Sequence, residues 1–189
     1  MRIGIDIDNI IVNTTETVLK YINERIPVQL ELEDIKEYRI ENALPDQYKW
    51  IVEMAFHDST MWRQVHLIHG VYDNIKKLYE DGHEIFFVTS TTATNFRKKL
   101  NHLNRTFDFF PEDYVRLHSI SIYLKQLLKL DILIDDCMTN LIGNNPEYKG
   151  ICLEYPWNYD NPCIYRTDSW DKIYSIIELY DSLRGCKNG

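Results

Sequence analysis

Two aspartates separated by one residue, Asp6-Ile7-Asp8, follow the apolar run Ile3-Gly4-Ile5. On extended backbone, residues two apart face the same side, so both carboxylates reach one space. A second acidic pair, Asp135-Asp136, closes the apolar run Ile132-Leu133-Ile134. Like charges at strand ends repel and lose hydration unless a cation offsets them. The simplest joint use of the two pairs is an oxygen-rich site for Mg²⁺, which favours carboxylates and keeps several waters. Asp136 can also head the helix expected near Met138. Between the pairs, Ile85-Phe86-Phe87-Val88 leads into Thr89-Ser90. Hydroxyls and free backbone N–H groups at such a strand end hold phosphate oxygens. Arg97-Lys98-Lys99 then brings positive charge.

These residues need elements to place them. Apolar runs of strand length occupy 2–8, 84–89, 114–117, 131–135 and 150–154. Helical periodicity marks 71–81 (Val71, Ile75, Leu78, Tyr79), 95–104 (Phe96, Leu100, Leu103) and 170–183 (Ile173, Ile176, Ile177, Tyr180). With Phe96, Leu100 and Leu103 facing inward, one of the two lysines reaches the interior. Alternating strands and helices predict a parallel sheet covered on both faces, with ligands at the carboxyl ends of its strands. Residues 14–69 break the alternation. They hold helix-like pieces at 15–25, 32–38 and 46–56 and no convincing strand. Such a length is too great for a plain crossover loop. The expected organisation is therefore an α/β core from 1–13 and 70–189, with a small helical cap, 14–69, inserted after the first strand.

The chain has 189 residues and a formal charge of −8, with 44% hydrophobic and 26% charged residues. That composition permits a packed core and disfavours a broad surface for long nucleic acid. No apolar run is long enough to span a membrane. The four cysteines show no CxxC spacing, and Asp6 and Asp8 arrive before a signal-type apolar segment. Reduced thiols and a cytoplasmic location are expected.

The ordered set Asp-x-Asp, Thr-Ser, Lys, Asp-Asp is far more specific than its parts. It resembles the four motifs of the haloacid dehalogenase superfamily of phosphotransferases. Met61-Trp62-Arg63, His69-Gly70-Val71, Leu133-Ile134-Asp135-Asp136 and Tyr155-Pro156-Trp157-Asn158 narrow the likeness to its 5′(3′)-deoxyribonucleotidase-like group, over residues 1–183. The resemblance implies a Rossmann-like core and a magnesium-dependent phosphomonoesterase acting on (deoxy)nucleoside monophosphates. It makes Asp6 the nucleophile, forming an aspartyl-phosphate, and Asp8 the general acid/base. Thr89 and Ser90 would bind phosphate, and Lys99 would neutralise charge on phosphate and Asp6, with Lys98 as the alternative register. Mg²⁺ would rest on Asp6, the Asp8 carbonyl and Asp136, supported by Asp135. Asn9 stands where the family usually has Gly, and Asn tolerates left-handed backbone. The implied partner is a small phosphomonoester, with a homodimer also open.

Base recognition would fall to the cap, where Tyr48, Trp50, Phe56 and Trp62 can stack, Trp50 and Trp62 being the foremost candidates. An EF-hand fails because Ile10 occupies a ligand position of a loop starting at Asp6. A response-regulator receiver has its acids, Thr and Lys in another order. Neither GxxxxGK[ST] nor GxGxxG is present. The remaining rivals are a phosphatase for another small metabolite or a nucleic-acid end, and a non-catalytic nucleotide-binding domain. An idle site has no reason to hold four costly carboxylates together.

Overall fold

The computed structural model describes the chain except residues 112–113, 115–116, 120–124, 143–146, 161, 163–164 and 186–189. Strand β1 (Arg2–Ile5) opens the chain and is followed by helix α1 (Thr14–Asn23). Short 3₁₀ turns at Leu32–Asp34, Ile40–Ala43 and Asp46–Tyr48 lead to α2 (Trp50–His57) and a further turn at Met61–Arg63. Then come α3 (Val71–Glu80), β2 (Glu84–Thr89), α4 (Ala93–Thr106) and β3 (Leu117–Ser119). A 3₁₀ turn at Lys125–Leu128 precedes β4 (Ile132–Asp135), α5 (Met138–Ile142), β5 (Lys149–Leu153), β6 (Tyr165–Thr167) and α6 (Trp170–Gly185).

All strand pairs are parallel, in the order β3-β2-β1-β4-β5-β6. Alternate residues feed opposite faces. Ile3, Ile5, Ile85, Phe87, Ile132 and Ile134 join the larger core. Phe86, Val88, Leu133 and Cys152 join the smaller one behind the sheet. Burial on both faces explains why these strands read as unbroken apolar runs. Phe87 is fully buried and stacks on Phe107 at 5.4 Å between ring centroids. Its burial contributes roughly 2–3 kcal/mol and fixes the strand that ends in Thr89. The order reverses between β1 and β4, the switch point at which doubly wound sheets open a crevice beyond their carboxyl ends.

The structure corrects four sequence expectations about the elements. The first strand stops at Ile5 rather than running through Asp8, because Asp8 pairs with Val12 in an isolated bridge and the chain turns between them. The third strand is Leu117–Ser119, not 114–117, whose residues 115–116 lie outside those described. Of the helix expected over 32–38 only the turn Leu32–Asp34 forms, and 46–56 divides into a 3₁₀ turn and α2. Strand β6 was missed, since Tyr-Arg-Thr offers no apolar alternation.

Residues 14–69 hold α1, α2 and four 3₁₀ turns, and Leu67 touches the core through a bridge to Val12. The buried stripe of α4 is Asn95, Lys99 and Leu103, one position before the expected Phe96–Leu100 register. That rotation carries Lys99 inward. No helix among the described residues is long and apolar enough to cross a membrane. Cys137 and Cys152 are buried, whereas Cys163 and Cys186 lie outside the described residues.

Candidate active site

Asp6 leaves β1 and Asp135-Asp136 leave β4, so the switch point brings three acids together. One carboxylate oxygen from each of Asp6, Asp135 and Asp136 lies within 4.8 Å of the others, and all three residues are buried. Asp135 accepts three bonds: Oδ1 accepts the Cys137 N–H at 2.9 Å, while Oδ2 accepts from Asn140 Nδ2 at 2.8 Å and Lys125 Nζ at 2.6 Å. The side chain bonding the entry to α5 is thus Asp135, not Asp136. Asp136 instead accepts one bond, at 3.0 Å, from Asn9 Nδ2. Burial, then the charges of Asp135 and Asp6, raise the Asp136 pKa well above the carboxylate range.

Lys125 is the functional residue that the sequence reading missed. Its Nζ sits 2.7 Å from Asp6 Oδ1 as well as on Asp135, and the side chain is fully buried. Burial disfavours its charge, but Asp135 and Asp6 outweigh that and raise its pKa. The cation bonded to Asp6 is therefore Lys125, whereas Lys99, expected to neutralise it, acts on Asp6 without a direct bond. The available signal was a lone lysine in Tyr123-Leu124-Lys125-Gln126-Leu127-Leu128, just before the acidic strand. Even with Lys125 beside it, burial pushes the Asp6 carboxyl up to about 7, Asp135 and Asp8 adding to the effect.

Lys99 serves the other aspartate. Its Nζ donates to Asp8 Oδ2 and, at 2.7 Å, to Thr89 Oγ1. Asp8 Oδ1 accepts from Thr14 Oγ1 at 2.8 Å. Lys98 turns away, toward the His57 carbonyl at 3.4 Å. The two aspartates of the first motif therefore diverge where the strand ends: Asp6 faces the acidic cluster and Asp8 the Lys99–Thr89 pair. Four carboxylates meet two ammonium groups here, leaving two formal negative charges.

A cavity of about 520 Å³ opens over Asp8. Ser90, Thr91, Thr92 and Asn95 line it at the start of α4, where unsatisfied helix N–H groups favour anions. Tyr38, Arg39, Glu53, Phe56, His57 and Trp62 line it from residues 14–69. Burial of its hydroxyl, then the charges of Asp136, Asp6 and Asp135, raise the Tyr38 pKa although half the residue is exposed. The sequence offered no reason to single out Tyr38, Arg39 or His57. Of the stacking candidates, Phe56 and Trp62 line the cavity. Trp50 does not: it stands exposed, its indole N–H on the Gln47 carbonyl at 2.8 Å, and Tyr48 is likewise absent from the lining.

Asn9 adopts the left-handed conformation, φ 57°. Its Oδ1 accepts the buried Thr15 N–H at 2.9 Å, tying α1 to the Asp136 carboxylate through one side chain. Asn158 performs a similar service, donating to the Asp136 and Leu153 carbonyls at 2.9 Å. Replacing Asn9 by Gly keeps the backbone free to turn but orphans the Thr15 N–H. A loss of roughly 1–3 kcal/mol is expected in urea unfolding. An unchanged midpoint would remove these bonds from the account.

A family model described as 5′ nucleotidase, deoxy (Pyrimidine), cytosolic type C protein matches residues 1–183. The chain is similar to proteins named 5′(3′)-deoxyribonucleotidase from Bacillus subtilis (strain 168) and Bacillus phage SPbeta. Each is 28% identical over 178 residues, covering 90% of this chain and 95% of the relative. Among solved structures, a HAD family hydrolase from Deinococcus radiodurans R1, with bound phosphate and sodium, superposes with a TM-score of 0.65. At 14% identity, over 93% of this chain and 94% of that one, this is a likeness of fold.

Proposed function

The chain belongs to the 5′ nucleotidase, deoxy (pyrimidine), cytosolic type C family of haloacid dehalogenase phosphatases, and from that membership we propose that it hydrolyses (deoxy)nucleoside monophosphates through a phosphoryl group held on Asp6. The observation that carries this reading is the division of labour between the two aspartates: Asp6 beside Lys125 in the acidic cluster, Asp8 beside Lys99 and Thr89 under the cavity.

The Asp6 carboxylate attacks phosphorus as the bond to the ribose oxygen breaks, and protonated Asp8 gives that oxygen its proton. Asp8, now ionised, takes a proton from the water that attacks the phosphoryl-aspartate, releasing phosphate and restoring Asp6. Thr89, Ser90 and the first N–H groups of α4 orient phosphoryl oxygens, and Lys99 offsets their charge. Such positioning and charge neutralisation supply most of the catalysis of phosphoryl transfer.

The donor set fits Mg²⁺. Asp6 and Asp136 offer buried oxygens whose charge is only partly compensated, and Asp135 holds Lys125, which bonds Asp6. The Asp8 carbonyl completes the proposed set. Bound there, the ion supplies the two positive charges the site lacks and lets an anionic phosphate approach an anionic nucleophile. Residues 14–69 act as a cap, since the cavity lies between them and the ends of β1 and β2. Phe56 and Trp62 give the base an aromatic wall. The buried Cys137 thiol accords with a cytoplasmic setting.

Phosphate release from a panel of nucleoside monophosphates, sugar phosphates and terminally phosphorylated oligonucleotides tests this reading. Mononucleotides should react fastest and oligonucleotide ends poorly, because the cavity is small and the surface acidic. Activity should vanish on chelation and return with Mg²⁺, Ca²⁺ substituting poorly because it prefers larger, looser coordination. A clear preference for a sugar phosphate, or full turnover after exhaustive chelation, would contradict it.

A further inference from the structure

A second cavity, of about 500 Å³, shares Trp62 with the catalytic one. Lys98, Asn101, His102 and Arg105 line it from α4, and Arg63 from the facing 3₁₀ turn. These α4 positions are three, four and seven residues from Lys98, one helix face extending over about 10 Å. Among the described residues, no acidic one lines the cavity. None of Arg63, Lys98 and Arg105 has a carboxylate partner among the described residues. Three cations around one cavity, in a chain of formal charge −8, give it a positive local potential that attracts anions. Two further groups are short of partners: Trp62 Nε1 and His102 Nε2 are enclosed without a hydrogen bond. Enclosed polar atoms are ordinarily satisfied.

We propose that this cavity is a second anion site, separate from the catalytic centre, for a small molecule carrying at least two linked phosphoryl groups. A single phosphate would engage only part of a row of cations spread along two turns of helix. Lys98 and Arg105 would take the chain of phosphoryl groups from the helix side and Arg63 from across the cavity, with the Trp62 indole as the floor shared with the catalytic pocket. Arginine forks suit bidentate phosphate contacts, and such charge-assisted bonds are the strong ones. The ligand is inorganic pyrophosphate or the tail of a nucleoside diphosphate.

Calorimetric titration of the full chain in a chelator, at low salt, tests the site with two probes: inorganic pyrophosphate and a nucleoside diphosphate. Chelation leaves the catalytic pocket with its excess negative charge, so binding there is suppressed. One saturable site is expected, with a Kd on the order of 0.1 mM. The double variant Arg63→Ala/Arg105→Ala, both residues being exposed, should weaken it by at least about tenfold. Lys99→Gln, provided it keeps the wild-type circular dichroism, should weaken it by less than about threefold, since Lys99 meets this cavity only through the Trp62 ring, 5.4 Å from its Nζ. Tighter binding of the nucleoside diphosphate assigns the ligand to nucleotides, and equal binding assigns it to free pyrophosphate; both support the site. Absence of saturable binding, wild-type affinity in the double variant, or equal loss in a folded Lys99→Gln overturns it.

Discussion

Asp6→Asn should abolish turnover, by at least ~10⁴-fold in kcat, and leave the protein as stable as before or more so. The amide is a poor nucleophile and a poorer ligand for a hard cation, so both proposed roles of the residue disappear together. Its shape is retained, and its oxygen can still accept the Lys125 bond that Asp6 Oδ1 accepts at 2.7 Å. Burial pushes the Asp6 carboxyl up to about 7, a sign that the folded protein holds the ionised form against its preference. Removing that charge relieves the repulsion from Asp135 and Asp136 and leaves Lys125 with its Asp135 partner. Dead enzyme with an undiminished melting temperature is the expected pair of results, as for other sites where function is kept at the expense of stability. Activity within tenfold of wild type would remove Asp6 from the chemistry.

Lys125→Met should damage both properties. Methionine fills similar space without the charge, so three buried acids face one another with no cation among them. Breaking a buried ion pair by removing one partner costs about 3–5 kcal/mol, and here one ammonium serves two carboxylates. Denaturant unfolding at neutral pH should show a loss of that order. Turnover should fall by roughly 10²–10³-fold, the usual loss when one preorganised charge partner is removed. Lys98→Met, by contrast, should leave turnover near wild type, since Lys98 reaches only the His57 carbonyl. Equal damage in the two variants would mean that the Lys125 contacts do not govern the acidic cluster.

The sheet was legible because its strands are buried on both faces and their apolar runs end in acids or hydroxyls. Those same run ends placed Asp6, Asp8, Thr89, Asp135 and Asp136 at one edge. The α4 lysine was legible only in outline. Phe96 and Leu100 suggested one register, but the buried stripe passes through Asn95, Lys99 and Leu103, and polar residues on an inner face carry no hydropathy signal. Lys125 was missed for the opposite reason: it stands in an apolar run where a single charge breaks the pattern without announcing a partner. Its two carboxylates are 119 and 10 residues away, and only the sheet order brings them to it. Residues 32–38 and 46–49 misled because their apolar spacing suits helices, whereas Pro45 and the short segments around it settle into 3₁₀ turns and a helix forms only from Trp50. Tyr38, Arg39 and His57 reach the cavity over Asp8 from the bend just before the Ile40–Ala43 turn and from the end of α2, positions that no periodicity specifies. Trp50 shows the converse, an aromatic residue at a suggestive position that the fold leaves on the surface.

The phosphoryl-aspartate on Asp6 is the centre of the account, and trapping it is its most direct test. Asp8→Asn removes the group that would activate water, so a phosphorylated enzyme should accumulate instead of turning over. An aryl phosphate is the suitable donor, because its leaving group departs without the proton Asp8 would give. Rapid acid quench and intact-mass measurement, with Mg²⁺ present, should show the gain of one phosphoryl group, and peptide mapping should place it on Asp6. An Asp8→Asn protein that consumes the donor with no adduct, or that carries the phosphoryl group on any other residue, would contradict the mechanism.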